Sequence, residues 1–139
     1  MIEEELTGKI IKIFYKVYNT LGYGFLEKIY HNAMIIELGA EGLKVETKKS
    51  ISVHYLGDIV GEFEADLIVE EKVILELKAK EALHEAHEAQ LVNYLRATKI
   101  EVRLLLNFGK EPKFKRKYFS NSNKTLKAGS GDGLLESLF

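Results

Sequence analysis

The sequence predicts an α/β domain in the order α-α-β-β-β-α-β, with a mixed central sheet flanked by helices. Three observations predict it. Two early segments carry apolar residues at helical spacing. The middle of the chain switches to β-branched, partly alternating runs joined by very short turns. A further helical stretch then precedes a nearly continuous apolar run, the pattern of a buried strand.

The first helix is predicted over residues 2–20, where Ile10, Ile13, Phe14, Val17 and Leu21 recur at spacings of three and four. Glu3, Glu4 and Glu5 near its start favour the helix dipole. Gly22 and Gly24 mark a turn. The second helix is predicted over 25–38. Leu26, Ile29, Tyr30, Ala33, Ile36 and Leu38 are its expected buried stripe, and Gly39 its stop. Strands are predicted over 43–55, 59–70 and 73–79, with turns at Gly57-Asp58 and Glu71-Lys72. Such short connections imply an antiparallel meander. A helix is predicted over 81–97 and a buried strand over 101–108. An edge strand is expected over 114–119, behind Pro112. From Ser120 the Ser/Asn/Gly content reads as a flexible tail, so the expected division is one domain over 1–119 and a tail over 120–139. The last six residues, LLESLF, are apolar again. They read as a docking peptide for an assembly partner, a short helix folded onto the body, or a vector-derived leftover.

Composition narrows the function classes. The hydrophobic fraction of 46% is enough for a core, which excludes a wholly disordered chain. The absence of Cys excludes a disulfide scaffold, a cysteine nucleophile and thiolate zinc sites. No apolar run approaches the ~18 residues of a membrane span. The N-terminal MIEEELTGK is acidic where a signal peptide would be basic, so a cytoplasmic location is the default expectation. A net charge of −1 argues against a polycationic binder on average, though not against local basic strips.

The chemistry concentrates on the second and third strands. Residues two apart in a strand share a face. Glu62, Glu64 and Asp66 are therefore expected together, opposite Phe63, Ala65 and Leu67. Glu76 and Lys78 share a face inside the apolar run VILELKA. Charges in such a run are costly unless paired or bound to metal. One reading is a structural ion pair, Glu76–Lys78 or Asp66–Lys78. The other is a hard-metal site. Mg²⁺ takes oxygen ligands and keeps several waters, so Asp66 and Glu76 on neighbouring strands suffice to hold it. Lys78 then sits where it can stabilise charge on a phosphate.

Asp66 followed by Glu76-Leu77-Lys78 resembles the D…(D/E)xK core of the PD-(D/E)XK nuclease superfamily. Gly24-Phe-Leu-Glu27-Lys-Ile-Tyr30 is similar to the signature of the GxxExxY family, a branch of it. His87-Glu-Ala-Gln90-Leu-Val-Asn-Tyr94 resembles that family's helix after the ExK strand, and Asn107-Phe108-Gly109 its closing strand end. The resemblance runs from about Ile10 to Tyr118. It implies a restriction-endonuclease-like core and phosphodiester hydrolysis, endo- or exonucleolytic, with Mg²⁺ or Mn²⁺. Asp66 and Glu76 would be the metal ligands and Lys78 the catalytic lysine. Glu27 would be the acid from the first core helix, and Gln90 and Tyr94 polar positions beside the site. The Pro that often marks the first motif's turn is absent here, and Ala65 stands where the superfamily name has Pro. Neither change removes a ligand.

Spacing supports convergence. Glu27 and Tyr30 share a helix face, as do His87, Gln90 and Tyr94. His84 and His87 do not make HExxH, since the second His would have to be residue 88, and no third zinc ligand is evident. Between Lys110 and Lys127 seven cations face one anion, a net of +6. Lys113, Lys115, Arg116 and Lys117, interleaved with aromatic residues, suit DNA or RNA phosphates. The alternative reading of that strip is a solvated, anti-aggregation edge. The alternative to a nuclease is a catalytically inactive nucleic-acid-binding or protein-interaction module on the same fold. A homodimer is a further expectation, by analogy with small nucleases that face a duplex.

Overall fold

The structure, a computed structural model, describes residues 3–81, 98–118 and 120–121. Helices α1 (Glu4–Leu21) and α2 (Glu27–Ala40) precede strands β1 (Val45–Tyr55), β2 (Asp58–Val69), β3 (Val73–Lys78), β4 (Val102–Phe108) and β5 (Pro112–Tyr118). The five strands form one sheet in chain order. β1, β2 and β3 are an antiparallel meander, β3 and β4 run parallel, and β5 returns antiparallel at the edge. Pro112 opens β5, where a missing N–H is tolerated. A parallel pair needs a long crossover. The helix expected over 81–97 and most of the tail lie outside the described residues. Among the described residues, no helix is long and apolar enough to cross a membrane.

The core forms between the helices and one face of the sheet. Ile10, Ile13, Phe14 and Val17 of α1, the stripe the spacing predicts, pack on Leu67, Val69, Val73, Leu75 and Leu77 and on alternate residues of β4. Phe108 sits at the centre. It meets Phe14 edge-on at 4.8 Å and stacks on Tyr30 at 4.2 Å. Such ring pairs add to area burial and fix orientation.

Helix α2 departs from expectation. Its core residues are Tyr30, Met34 and Leu38, all fully buried. Leu26, Ile29 and Ile36 are exposed. Residues four apart rise on one face. The helix is apolar over two separate stripes, and spacing alone merges them into one.

The other correction concerns β2. Phe63 and Ala65 do not share a face with Leu67. Ala65 clusters with Ile68 and Ile74 on the side away from α1 and α2, whereas Leu67 and Val69 join the main core. The pairing of β1 and β2 skips Lys48 and Asp66. Lys48 has a φ of 49°, so the local backbone is not extended there. Side-chain alternation changes phase at Asp66.

Three features tie the strand ends together. The Asn107 side chain accepts the Lys80 N–H at 3.0 Å and donates to the Lys80 carbonyl at 2.8 Å. The Tyr18 hydroxyl shares its proton between the carbonyls of Gly109 and Lys110. A Cβ at Gly109 would lie 2.4 Å from the Lys80 carbonyl oxygen, a backbone atom with little room to yield. Gly109→Ala is therefore expected to destabilise by about 1–3 kcal/mol in chemical denaturation, as overpacking does. Gly61→Ala, where the added Cβ meets nothing within 4 Å, should cost clearly less. Equal costs would contradict the close approach.

Candidate active site

The site forms where two strands part. β2 and β3 pair through Val69↔Val73, Ile68↔Ile74 and Leu67↔Leu75, and the ladder stops there. At the next position the Asp66 side chain replaces the main chain. Its Oδ2 accepts the Leu77 N–H at 2.8 Å. A carboxylate in place of a peptide carbonyl satisfies the orphaned donor. It also holds Asp66 between the strands and opens a gap beside it. On the α2 side, His31 Nε2 lies 3.2 Å from the Asp66 carbonyl, so this nitrogen carries the proton and donates it.

Glu76 stands on one face of β3, next to Asp66. Its Oε1 is ion-paired with Arg103, whose side chain is fully buried. Arg103 also lies over the Phe63 ring at 5.8 Å. Burial pushes the Glu76 carboxyl up to about 7. The Arg103 guanidinium opposes that rise, and the adjacent Asp66 adds to it by charge repulsion and by a side-chain hydrogen bond. Asp66 and Glu76 are thus neighbours. Each has one oxygen anchored, by the Leu77 N–H and by Arg103 respectively.

Glu27 reaches the site from the first turn of α2. Burial holds its carboxyl above the usual range. Lys78 works against that shift, Asp66 reinforces it, and Lys80 and His31 oppose it more weakly. Glu27, His31, Glu64, Asp66 and Leu77 line a cavity of about 560 Å³. The local sequence explains the aim of Glu27. Gly24, at φ 114°, takes a backbone shape that L side chains rarely adopt. Tyr30 then clamps the loop. Its hydroxyl donates to the Gly22 carbonyl at 2.5 Å and accepts the Phe25 N–H at 3.2 Å. Glycine, acid and tyrosine at this spacing fix where α2 starts and where its first carboxylate points.

The expected residues fall into three groups. Glu27 and Asp66 line one cavity, Glu76 neighbours Asp66, and the Lys78 charge acts on both glutamates. Gln90 and Tyr94, with His84 and His87, lie outside the described residues. The basic strand residues divide between faces. Lys113, Lys115 and Lys117 stand opposite Asn107, Leu105 and Arg103, which in turn stand beside Lys78, Glu76 and Ile74. These three therefore share the sheet face of Glu76 and Lys78. Arg116 alternates to the other face, that of Phe114, whose ring contacts Tyr15 of α1. The four do not form one strip. Neither expected ion pair with Lys78 is present; Glu76 pairs with Arg103 instead. Arg103 is the partner that the spacing hides. Its signal was a lone cation in a buried strand, but its partner depends on a register between strands distant in sequence.

The donor set suits a hard divalent cation. Two neighbouring carboxylates would leave the rest of an octahedral shell to water, as Mg²⁺ or Mn²⁺ prefers. Among the described residues, no three His, Cys, Asp or Glu side chains gather as a metal group.

Parted strands carry an Asp and, on the neighbouring strand, a Glu-x-Lys. A family model for the PD-(D/E)XK nuclease superfamily matches residues 4–118. The chain belongs to that superfamily. A solved structure described as the crystal structure of SSO0001 is similar in fold. Its TM-score is 0.54 at 18% identity, covering 80% of this chain and 56% of that one. This chain thus spans little more than half of that protein's length. Comparison with curated proteins finds no match.

The raised Glu76 carboxyl gives a signed pH dependence. Its folded value, about 7, lies above the 4.5 of an unperturbed glutamate. The folded state therefore binds more protons between these values, and stability falls as pH rises through them. The full effect in the metal-free protein is on the order of 3 kcal/mol for the 4.5-to-7 shift. Denaturation in chelator at pH 4.5 to 8 should show that decline, and Glu76→Gln should flatten it. An unchanged slope in Glu76→Gln would refute the assignment.

Proposed function

We propose that this chain is a metal-dependent nuclease of the GxxExxY branch, hydrolysing phosphodiester bonds in DNA or RNA. The observation that carries the reading is the meeting of Asp66 and Glu76 at the parting of β2 and β3. Each is anchored through one oxygen, and Lys78 stands two residues from Glu76 on the same face. Gly24, Glu27 and Tyr30 support the branch assignment, because their structural roles account for that spacing.

Asp66 and Glu76 would hold Mg²⁺ or Mn²⁺, which supplies Lewis-acid polarisation of a phosphoryl oxygen and lowers the pKa of bound water. The remaining work belongs to the chain. The Leu77 N–H and Arg103 keep the two carboxylates from turning away, so little reorganisation is needed when substrate arrives. Lys78 offsets negative charge that grows on the phosphate as the attacking oxygen bonds to phosphorus and the leaving oxygen departs. Glu27, held partly protonated-prone by burial, is placed to accept or return a proton at the cavity mouth. Lys113, Lys115 and Lys117 extend a cationic path along the same sheet face.

A second reading has one observation in its favour. Arg103 already places an internal cation on Glu76. In a module that kept the fold and lost turnover, that guanidinium would serve in place of a metal. Two measurements separate the readings. Single- and double-stranded DNA and RNA, incubated with Mg²⁺ or Mn²⁺, should be cut in at least one of the four forms, with kcat lowered roughly 10²–10³-fold in Lys78→Ala. Calorimetric titration of the divalent cation should show binding to wild type that Asp66→Ala abolishes. Failure of both would favour the silent module.

A further inference from the structure

Helix α2 is apolar on two stripes, and the core uses one. Tyr30, Met34 and Leu38 face the sheet. Glu27, His31 and Ile35 form the flank that lines the site cavity. The remaining flank carries Leu26, Ile29, Ala33 and Ile36. Leu26 is 76% exposed, Ile36 70% and Ile29 40%. Beside them, Val17, Leu21, Ala33 and Ile36 line a groove of about 190 Å³ between α1 and α2. The Lys16–Glu37 ion pair, 2.8 Å long, rims it.

We propose that this flank is a two-fold interface between two copies of this chain. The argument is self-complementarity. A closed homodimer must present one patch to itself, so residue i meets j and j meets i. The stripe runs 26, 29, 33, 36, with gaps of three, four and three, and so reads the same in both directions. Two antiparallel copies of α2, centred at the height of residue 31, set Leu26 against Ile36 and Ile29 against Ala33. The large Ile29 falls on the small Ala33, which lets the helices approach. Leu26 reaches the level of the partner's groove, where Ile36 and Ala33 already form part of the wall. A parallel arrangement would instead stack Leu26 on Leu26 and leave the groove empty. With the adjoining Phe25 and Tyr23, also exposed, the flank offers on the order of 500 Å² of apolar area per copy. A pair would bury roughly 1,000 Å², near the lower bound of specific interfaces. An interface of that size belongs to the weak, transient class. Both site cavities, on the other flank of α2, stay open. The inference holds whether or not the chain is a nuclease.

The chain has no cysteine, so introduced thiols report directly. Leu26→Cys mixed with Ile36→Cys under mild oxidation should give a cross-linked pair. Neither variant alone should do so, because like-numbered positions lie about 15 Å apart along antiparallel axes, beyond disulfide reach. Sedimentation equilibrium should show a wild-type dimer and at least tenfold weaker association of Ile36→Lys. Circular dichroism should be unchanged in that variant, since the side chain is exposed in the single chain. Three results would each overturn the proposal. One is a wild-type chain that stays monomeric to roughly 100 μM. A second is self-cross-linking of Leu26→Cys. The third is a monomer whose thiol at position 26 resists maleimide, which would mean that another segment of the chain covers the stripe.

Discussion

One hydrogen bond organises the functional end of this molecule. The Asp66 carboxylate accepts the Leu77 N–H where a strand carbonyl would otherwise stand. That exchange ends the β2–β3 ladder at Leu67↔Leu75. It places one carboxylate between the strands and lets Glu76 enter beside it. An ordinary ladder would have kept Asp66 on a pleated face. Lys48, in the left-handed region on the neighbouring strand, absorbs the backbone distortion on the other side.

The rest of the fold holds that gap in place. Phe108 ties α1, α2 and β4 through its ring contacts with Phe14 and Tyr30. Tyr30 in turn pins the turn that starts α2, and so aims Glu27. Asn107 brackets the Lys80 backbone, and Gly109 leaves room for its carbonyl, so the chain leaving Lys78 has a defined exit. Arg103 lies beneath Glu76 and neutralises part of the charge that burial penalises. Its presence limits how far Glu76 can drift toward the neutral form, but it also competes for the oxygen it binds.

Much of this was legible in the residues. The helical spacing in α1 and the short turns of the meander rest on local geometry, which sequence records. Asp66, Glu76 and Lys78 stood out because charge in an apolar strand needs a reason. Other features depend on contacts between distant segments. Arg103 belongs to Glu76 through a parallel register that no local pattern encodes. The phase change at Asp66 needs the matching irregularity at Lys48. The two stripes of α2 were merged because apolar character says that a residue can be buried, not against what. The basic run of β5 read as one strip, whereas strand alternation sends Arg116 to the face opposite Lys113, Lys115 and Lys117.

The central claim is that Asp66 and Glu76 offer their second oxygens to one shared cation. Diffraction from crystals grown with Mn²⁺, recorded for its anomalous signal, tests this most directly. The account predicts a single anomalous peak about 2 Å from one oxygen of each carboxylate, with the Asp66–Leu77 hydrogen bond intact. A map without a peak there, in which Glu76 stays wholly engaged with Arg103, would contradict it.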